Sequence, residues 1–349
     1  MRILEDPISD PQWAALLERH PAASIFHTPG WLNALRQTYG YHPFVITASA
    51  GSSLDNGLVV CQVNGWVSRR LVSVPFSDHC DPLVNGGLEL NEILASLKNH
   101  ARTTRSSSIE LRPAAADTLG FKAAAASCEL QPEDKYCLHR LDLRAAATDI
   151  FRRFHHSSTR RAVRRAEREG LSCESGTSNR LLLDFYRLLR MTRRRHGLPP
   201  QPLVWFRNLI TCLGERLTIH IARKESEPIA SVITLSFKNT LVYKYGGSDA
   251  AHHRLGAMPF VFWQLIQDAK RRGFEQLDLG RSDLEQVGLI EFKRHLGAAE
   301  SPLTYYRHPA RPPASVASRW SSVVARRVLA RLPDPALDAA GRLLYKHLG

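Results

Sequence analysis

From Tyr245 to Gly256 the chain reads Tyr-Gly-Gly-Ser-Asp, Ala-Ala-His-His, then Arg-Leu-Gly, and a helical run begins at Pro259. A loop of this kind ahead of a helix exposes backbone N–H groups, which suit a phosphate or an oxyanion. The candidate anion-binding segment is His253, Arg254, Leu255, Gly256, Ala257 and Met258. Gly256 would let the backbone approach a ligand closely, although a plain strand-to-helix turn needs glycine too. His252 and His253 are of the type that serves as a general base, and equally of the type found by chance in an exposed loop. Further on, Asp278-Leu279-Gly280-Arg281-Ser282 ends a β-rich run. Arg281 and Ser282 then stand at the C-terminal end of a strand, where open sheets contact ligands. Asp278 falls inside that strand; if buried it needs a partner, for which Arg281 or a tyrosine would serve. A structural ion pair and direct catalysis both remain open for it. Tyr243 and Tyr245 alternate with Val242 and Lys244, which predicts that both face one side of their strand, lining a cleft or packing. His79 lies in Ser77-Asp78-His79-Cys80-Asp81, where neighbouring carboxylates could orient an imidazole or simply cap a loop.

Charge is unevenly placed. The net charge is +14, yet residues 1–150 sum to −3, residues 151–310 to +12 and residues 311–349 to +5. Arginine outnumbers lysine 38 to 9, as a GC-rich genome alone would produce, but both halves share one genome. The asymmetry therefore points to an anionic partner of the second half. Residues 151–196 hold 13 arginines, no lysine and four acids. Arg161, Arg165 and Arg168 share one face of a helix predicted over Ser158–Glu169, and guanidinium forks suit phosphate as readily as they make a solvated face. No apolar run approaches the roughly 20 residues of a membrane span, and the N-terminus has no apolar core like that of a secretory signal. The expectation is a cytoplasmic chain. Its six cysteines form no CxxC pair and have no zinc-like spacing, so they read as reduced thiols and no metal is expected.

The elements that must position these residues occur twice in one order. Helices predicted at Pro11–Arg19 and Pro29–Tyr39 precede β-rich runs at Pro43–Ala48, Leu58–Val63 and Leu71–Val74, a helix about Leu90–Thr104 and a strand at Ser108–Leu111. Helices at Ser158–Glu169 and Leu181–His196 precede runs at Leu217–Ala222, Ile229–Phe237 and Thr240–Tyr245, a helix at Pro259–Arg272 and a strand at Gln276–Leu279. This is the pattern of a duplicated α+β domain. Residues 311–349 form a basic tail in which Val316, Trp320, Val323, Val324, Val328 and Leu332 fall at helical spacing. The tail either packs on the body or touches an anionic membrane surface.

The run Tyr245–Asp249, the loop to Met258, Asp278–Ser282 and Glu291-Phe292-Lys293-Arg294-His295-Leu296-Gly297-Ala298 together resemble the FemAB-related branch of the GNAT acyltransferase superfamily. Ser158–Leu171 resembles that family's basic helix, and the first half matches more vaguely through Val74-Pro75-Phe76-Ser77-Asp78-His79-Cys80-Asp81. The resemblance implies an α+β protein of two tandem GNAT-like domains, 1–150 and 151–310, each a mostly antiparallel sheet flanked by helices, with the tail at 311–349. The active cleft would lie between them. The resemblance places Phe292 and Lys293 in that cleft, where a cation stabilises a tetrahedral intermediate or holds a donor phosphate. Lys293, Arg281, Asp278 and the 253–258 loop would serve the donor side; Arg161, Arg165, Tyr243, Tyr245, Ser282, Phe292 and His79 would contact substrate. The first domain would hold the acceptor or be degenerate. The leading expectation is transfer of an acetyl group from acetyl-CoA to an amine of a cell-envelope or exopolysaccharide precursor, small or lipid-linked. One alternative takes aminoacyl-tRNA as donor and a peptidoglycan precursor as acceptor. The other is a non-enzymatic basic module on RNA or on the inner face of the membrane.

Overall fold

The computed structural model describes residues 2–51, 53–65, 68–116, 120–309 and 323–348. The tail positions Val316 and Trp320 lie outside the described residues. In chain order the first half carries β1 (Arg2–Leu4), α1 (Pro11–Arg19), α2 (Pro29–Tyr39), β2 (His42–Thr47), β3 (Leu58–Asn64), β4 (Arg69–Val72), α3 (Gly87–Thr103), β5 (Ser108–Leu111), α4 (Phe121–Ser127) and β6 (Gln131–Asp142). The second carries α5 (Ala147–Arg153), α6 (Arg161–Arg168), β7 (Ser172–Gly176), α7 (Asn179–Arg195), α8 (Leu203–Leu213), β8 (Leu217–Lys224), β9 (Glu227–Phe237) and β10 (Thr240–Ser248). Then follow α9 (Ala257–Arg271), β11 (Gln276–Asp283), α10 (Val287–His295), β12 (Ala299–His308), and in the tail α11 (Val323–Arg331) and α12 (Asp334–Leu348).

Local chemistry starts these helices. Asp10 accepts the Gln12 and Trp13 amides ahead of Pro11, and Thr28 accepts the Trp31 amide ahead of Pro29, so each helix combines a side-chain cap with a proline in the first turn. All strands join one twelve-stranded sheet in the order β1-β2-β3-β4-β5-β12-β6-β11-β10-β9-β8-β7. Pairing is antiparallel except between β4 and β5 and between β10 and β11. Those two parallel pairs occupy equivalent places: each closes an antiparallel meander followed by a helix. The architecture is therefore α+β with two tandem, similarly ordered halves. The halves exchange strands, because β6 pairs with β11 while β12, the last strand of the chain, inserts between β5 and β6.

Both halves present one sheet face to a common core. Trp13, Phe26 and Trp31 from the first half meet Phe185, Trp205, Phe206 and Tyr245 from the second. The opposite face is covered by α3 and α4 over the first half, and by α5, α6 and α9 over the second. Helix α12 spans the halves. Asp334 pairs with Arg190 at 2.7 Å and with Arg194, and Asp338 accepts from Tyr186. At its other end the Tyr345 carbonyl accepts from the Tyr41 hydroxyl (2.9 Å) and the His347 carbonyl from Arg70 (2.8 Å).

Candidate active site

Strands β10 and β11 run side by side for only three residue pairs, ending at Val242 and Asp278. Beyond them each strand bulges, β10 between Tyr243 and Tyr245, β11 between Asp278 and Arg281. A bulge bends a strand and re-aims its side chains, and here the two strands part. The wedge between them is the candidate site.

Helix α10 supplies a cation to the wedge. Ile290 and Lys293, one turn apart, are its buried residues. The Lys293 side chain is 2% exposed, and its ammonium donates to the carbonyls of Gly280 (2.9 Å) and Arg281 (3.0 Å). Burial pulls its pKa down to about 8, against the pull of Asp78 and Asp278. An ammonium has three donors. Two are occupied here, which leaves one for a substrate oxygen.

The first half supplies the other wall. The loop after β4 carries Val74 and Phe76 at φ 49° and 60°, conformations that non-glycine residues adopt only when held. Arg112 holds them: its guanidinium donates to the carbonyls of Val74 (3.2 Å) and Ser77 (3.1 Å) and pairs with Glu110. The loop thereby delivers Asp78 and His79 into the wedge. His79 meets Asp278 at 2.9 Å, Asp78 meets Lys244 at 3.0 Å, and the Tyr305 hydroxyl donates to the Asp78 carbonyl at 2.6 Å. A Cβ on Gly280 would stand 2.9 Å from an Asp78 oxygen, so glycine is what lets the two walls close up.

Asp278 is 2% exposed. Burial pushes its carboxyl up, but His79, Arg140 and the Gly280 amide more than reverse this and hold it at about 2. For His79, burial lowers the pKa and the bond to Asp278 outweighs it, so the net shift is upward. The expected partner of Asp278, Arg281 or a tyrosine, is thus replaced by His79 and Arg140. Arg281 instead stacks over the rings of Tyr136 (4.2 Å) and Tyr305 (5.1 Å). The Ser282 hydroxyl is buried without a hydrogen-bond partner.

The two tyrosines do not share a side. The bulge between them turns Tyr243 onto Phe262 in the α9 core, and Tyr245 into the shared core, where its hydroxyl accepts from Trp205 at 2.9 Å. Phe292 packs edge-on against Phe262. Lys244, which sequence reasoning passed over, has a side chain only 6% exposed, with its ammonium over the rings of Phe26, Trp31 and Tyr245. Its one signal was a lysine inside an apolar strand of a lysine-poor chain.

The 253–258 loop leads from β10 into α9, with the Met258 side chain against Gly246 of β10. Asp249 caps a short 3-10 turn by accepting the Ala251 amide at 2.9 Å, and His252 lies 3.1 Å from the same carboxylate. His253 is tied to the Ser248 hydroxyl at 3.0 Å. Gly256 has φ 77°, and a Cβ there would come within 2.5 Å of the Ala162 carbonyl, so glycine is required both for the backbone and for contact with α6. The first turn of α9 leaves the Ala257 and Met258 amides without helical acceptors. Arg165 turns inward and donates to the Arg254 carbonyl at 2.7 Å, whereas Arg161 stays on the outer face of α6. Lys293, Asp278 and His79 therefore come together around Gly280 and Arg281, with Ser282 next along β11; the loop and Arg165 contact each other at α6, and Tyr245 and Arg161 lie elsewhere.

Residues 153–294 match the family model described as an acetyltransferase (GNAT) domain. The second half of the chain therefore carries a GNAT-type domain. A UDP-N-acetylmuramoylpentapeptide-lysine N(6)-alanyltransferase of Weissella viridescens is 25% identical over 152 residues, 43% of this chain. That stretch spans 45% of the relative, less than half its length. The crystal structure of FemX matches this tandem GNAT-like fold with a TM-score of 0.68 at 13% identity, over 87% of this chain and 97% of that one. A tandem GNAT protein from the clavulanic acid biosynthesis pathway gives 0.58 at 13% identity, over 90% and 99%. L-PGS from Bacillus licheniformis gives 0.57 at 17%, over 95% and 100%. At such identities these structures speak for the fold alone.

Proposed function

We propose that this protein is an N-acyltransferase that moves an aminoacyl group from an activated ester onto an amine of a cell-envelope precursor. The observation that carries the reading is the Lys293 ammonium, fixed in the wedge by two carbonyls with one proton left over. Attack of an amine on an ester carbonyl builds charge on the carbonyl oxygen, and a preorganised cation in a water-poor site stabilises that charge. The attacking amine must first lose a proton. Asp78 is placed for this: one of its oxygens holds Lys244, and the other has no hydrogen-bond partner among the described residues. His79, Asp278 and Arg140 then form the brace that keeps the first half's loop seated in the wedge. Collapse of the tetrahedral intermediate expels the ester hydroxyl, and the Ala257 and Met258 amides offer a seat for the donor's phosphate.

The similarity to an alanyltransferase favours an aminoacyl donor over the acetyl-CoA expected first. Acetyl-CoA is the second reading, favoured by the GNAT domain's description and by a loop equally able to seat a pyrophosphate. The test incubates the full chain with UDP-N-acetylmuramoyl-pentapeptide and either alanyl-tRNA or acetyl-CoA, and weighs the product. A mass increase of one alanyl group supports the first reading and an acetyl increase the second. A thermal-shift titration with CoA separates them independently: a ligand at 100 times its Kd adds about 2.7 kcal/mol of stability. If neither donor yields product on any amine of a panel, the acyltransferase reading is wrong.

A further inference from the structure

Ahead of the wedge, the short stretch where β10 and β11 still run together floors a cavity of about 250 Å³ at the seam between the halves. Thr240 pairs with Gln276 and Val242 with Asp278, and strand alternation puts all four on one face. Arg140 of β6, opposite Asp278, lines the cavity from one side. The first half closes it with residues 21–25, His79 and Asp81. His79 therefore stands between two spaces. Asp78 before it faces the wedge, while its own ring faces the cavity.

The hydrogen bonds around this cavity do not close among themselves. Asp278 is spent: one oxygen meets His79 at 2.9 Å and Arg140 at 3.5 Å, and the other accepts the Gly280 amide at 2.7 Å. His79 keeps a second ring nitrogen, Nδ1, and Arg140 keeps its two terminal nitrogens, none with a partner among the described residues. Burial opposes charge on His79, and the bond to Asp278 more than offsets it, which favours the imidazolium, a donor at both nitrogens. Asp81 accepts the Ala114 and Ala115 amides at 2.8 and 2.9 Å on one oxygen and has no partner on the other. Two cationic donors and one carboxylate oxygen are left over. The two cations and two carboxylates already balance, so a lone anion or a lone amine would leave a charge unpaired, and a zwitterion would not.

We propose that this cavity binds the head group of an α-amino acid, its carboxylate on Arg140 and His79 and its ammonium on Asp81. The volume lies below the roughly 300–1,000 Å³ of pockets for drug-sized ligands, so a nucleotide or CoA does not fit. Ala22, Ala23, Ile25 and Phe237 complete the walls and suit a short aliphatic side chain. This goes beyond the transfer reaction, because it holds whichever donor the wedge takes. The amino acid is either a free ligand bound beside the reaction or the acceptor itself.

The test titrates the full chain calorimetrically with L-alanine, D-alanine, alaninamide and propionate. Alanine of one hand binds. Alaninamide, which lacks the carboxylate, and propionate, which lacks the ammonium, bind about tenfold or more weakly, as expected when a hydrogen bond to a charged group is lost. Arg140→Gln abolishes the preference for alanine over alaninamide. Asp81→Asn abolishes the preference over propionate, while its amide oxygen still accepts the Ala114 and Ala115 amides. Ala22→Phe obstructs the cavity without changing a charge and removes binding at an unchanged melting temperature. No binding of alanine, glycine, serine or valine at millimolar concentration overturns the inference. So does equal binding of alanine, alaninamide and propionate, or alanine binding that ignores all three variants. Mass analysis with a donor present separates the two sources: alanine recovered unchanged is a free ligand, and alanine that gains the acyl group is the acceptor. Amino-acid binding without transfer to any amine leaves this inference standing and removes the function proposed above. Transfer without amino-acid binding does the reverse.

Discussion

A single ammonium in the wedge has to remain charged to do its work, and burial has brought Lys293 to about 8. The falling limb of the transfer rate should therefore lie near pH 8, and Lys293→Arg should move it upward because a guanidinium stays charged. Lys293→Met should lower kcat by about 10²–10³ with the fold retained, the size seen when one oxyanion donor is removed. Steady-state kinetics with circular dichroism checks both. The His79–Asp278 pair belongs to stability. Its histidine is raised, so that share is fully present below pH 6.5 and fades as pH rises through the folded value. Its aspartate is lowered, so that share is present above 3.8 and is lost as pH falls through about 2. His79→Gln should cost on the order of 3 kcal/mol, since it removes the nearest cation from a buried carboxylate and leaves it Arg140 and the Gly280 amide. Urea titrations should find that cost largest between about pH 4 and 6.5.

At the level of elements, the bulges decide what the strands expose and the glycines decide how closely they meet. Gly256→Ala forces a left-handed φ on alanine, at about 1–2 kcal/mol, and drives a methyl into the Ala162 carbonyl. We expect a melting temperature lower by several degrees and weaker donor binding, read by scanning calorimetry with and without donor. The elements themselves were mostly legible. α1 and α2 carry their caps and prolines in the sequence, and the three β runs of each half stand between turn residues. β6 and β12 were not: no alternation marks either stretch, and these strands exist because each finds partners far away in the chain. The site was legible in part for the same reason. Lys293 and Arg281 sit in a local motif, but the pairing of Asp278 with His79 crosses 199 residues and that of Lys244 with Asp78 crosses 166. Alternation along β10 misplaced Tyr245, because nothing local announces a bulge.

Across the molecule, the two halves share a core and exchange strands, so neither is complete alone. Residues 1–150 and 151–349 expressed separately should each fail to give a dispersed amide spectrum, while the full chain unfolds in one calorimetric transition. Two separate transitions, or a well-folded fragment, would contradict this. The late insertion of β12 also bears on synthesis. When β6 leaves the ribosome, both strands destined to flank it are still unmade, and the edge of β5 stands open. At about 5–20 residues per second, roughly ten to thirty seconds pass before β12 arrives. During that interval the nascent chain displays bare strand edges, the feature from which aggregation begins. Slow translation of the second half, or starvation for its arginine codons, should therefore depress the yield of folded protein more than the same delay in the first.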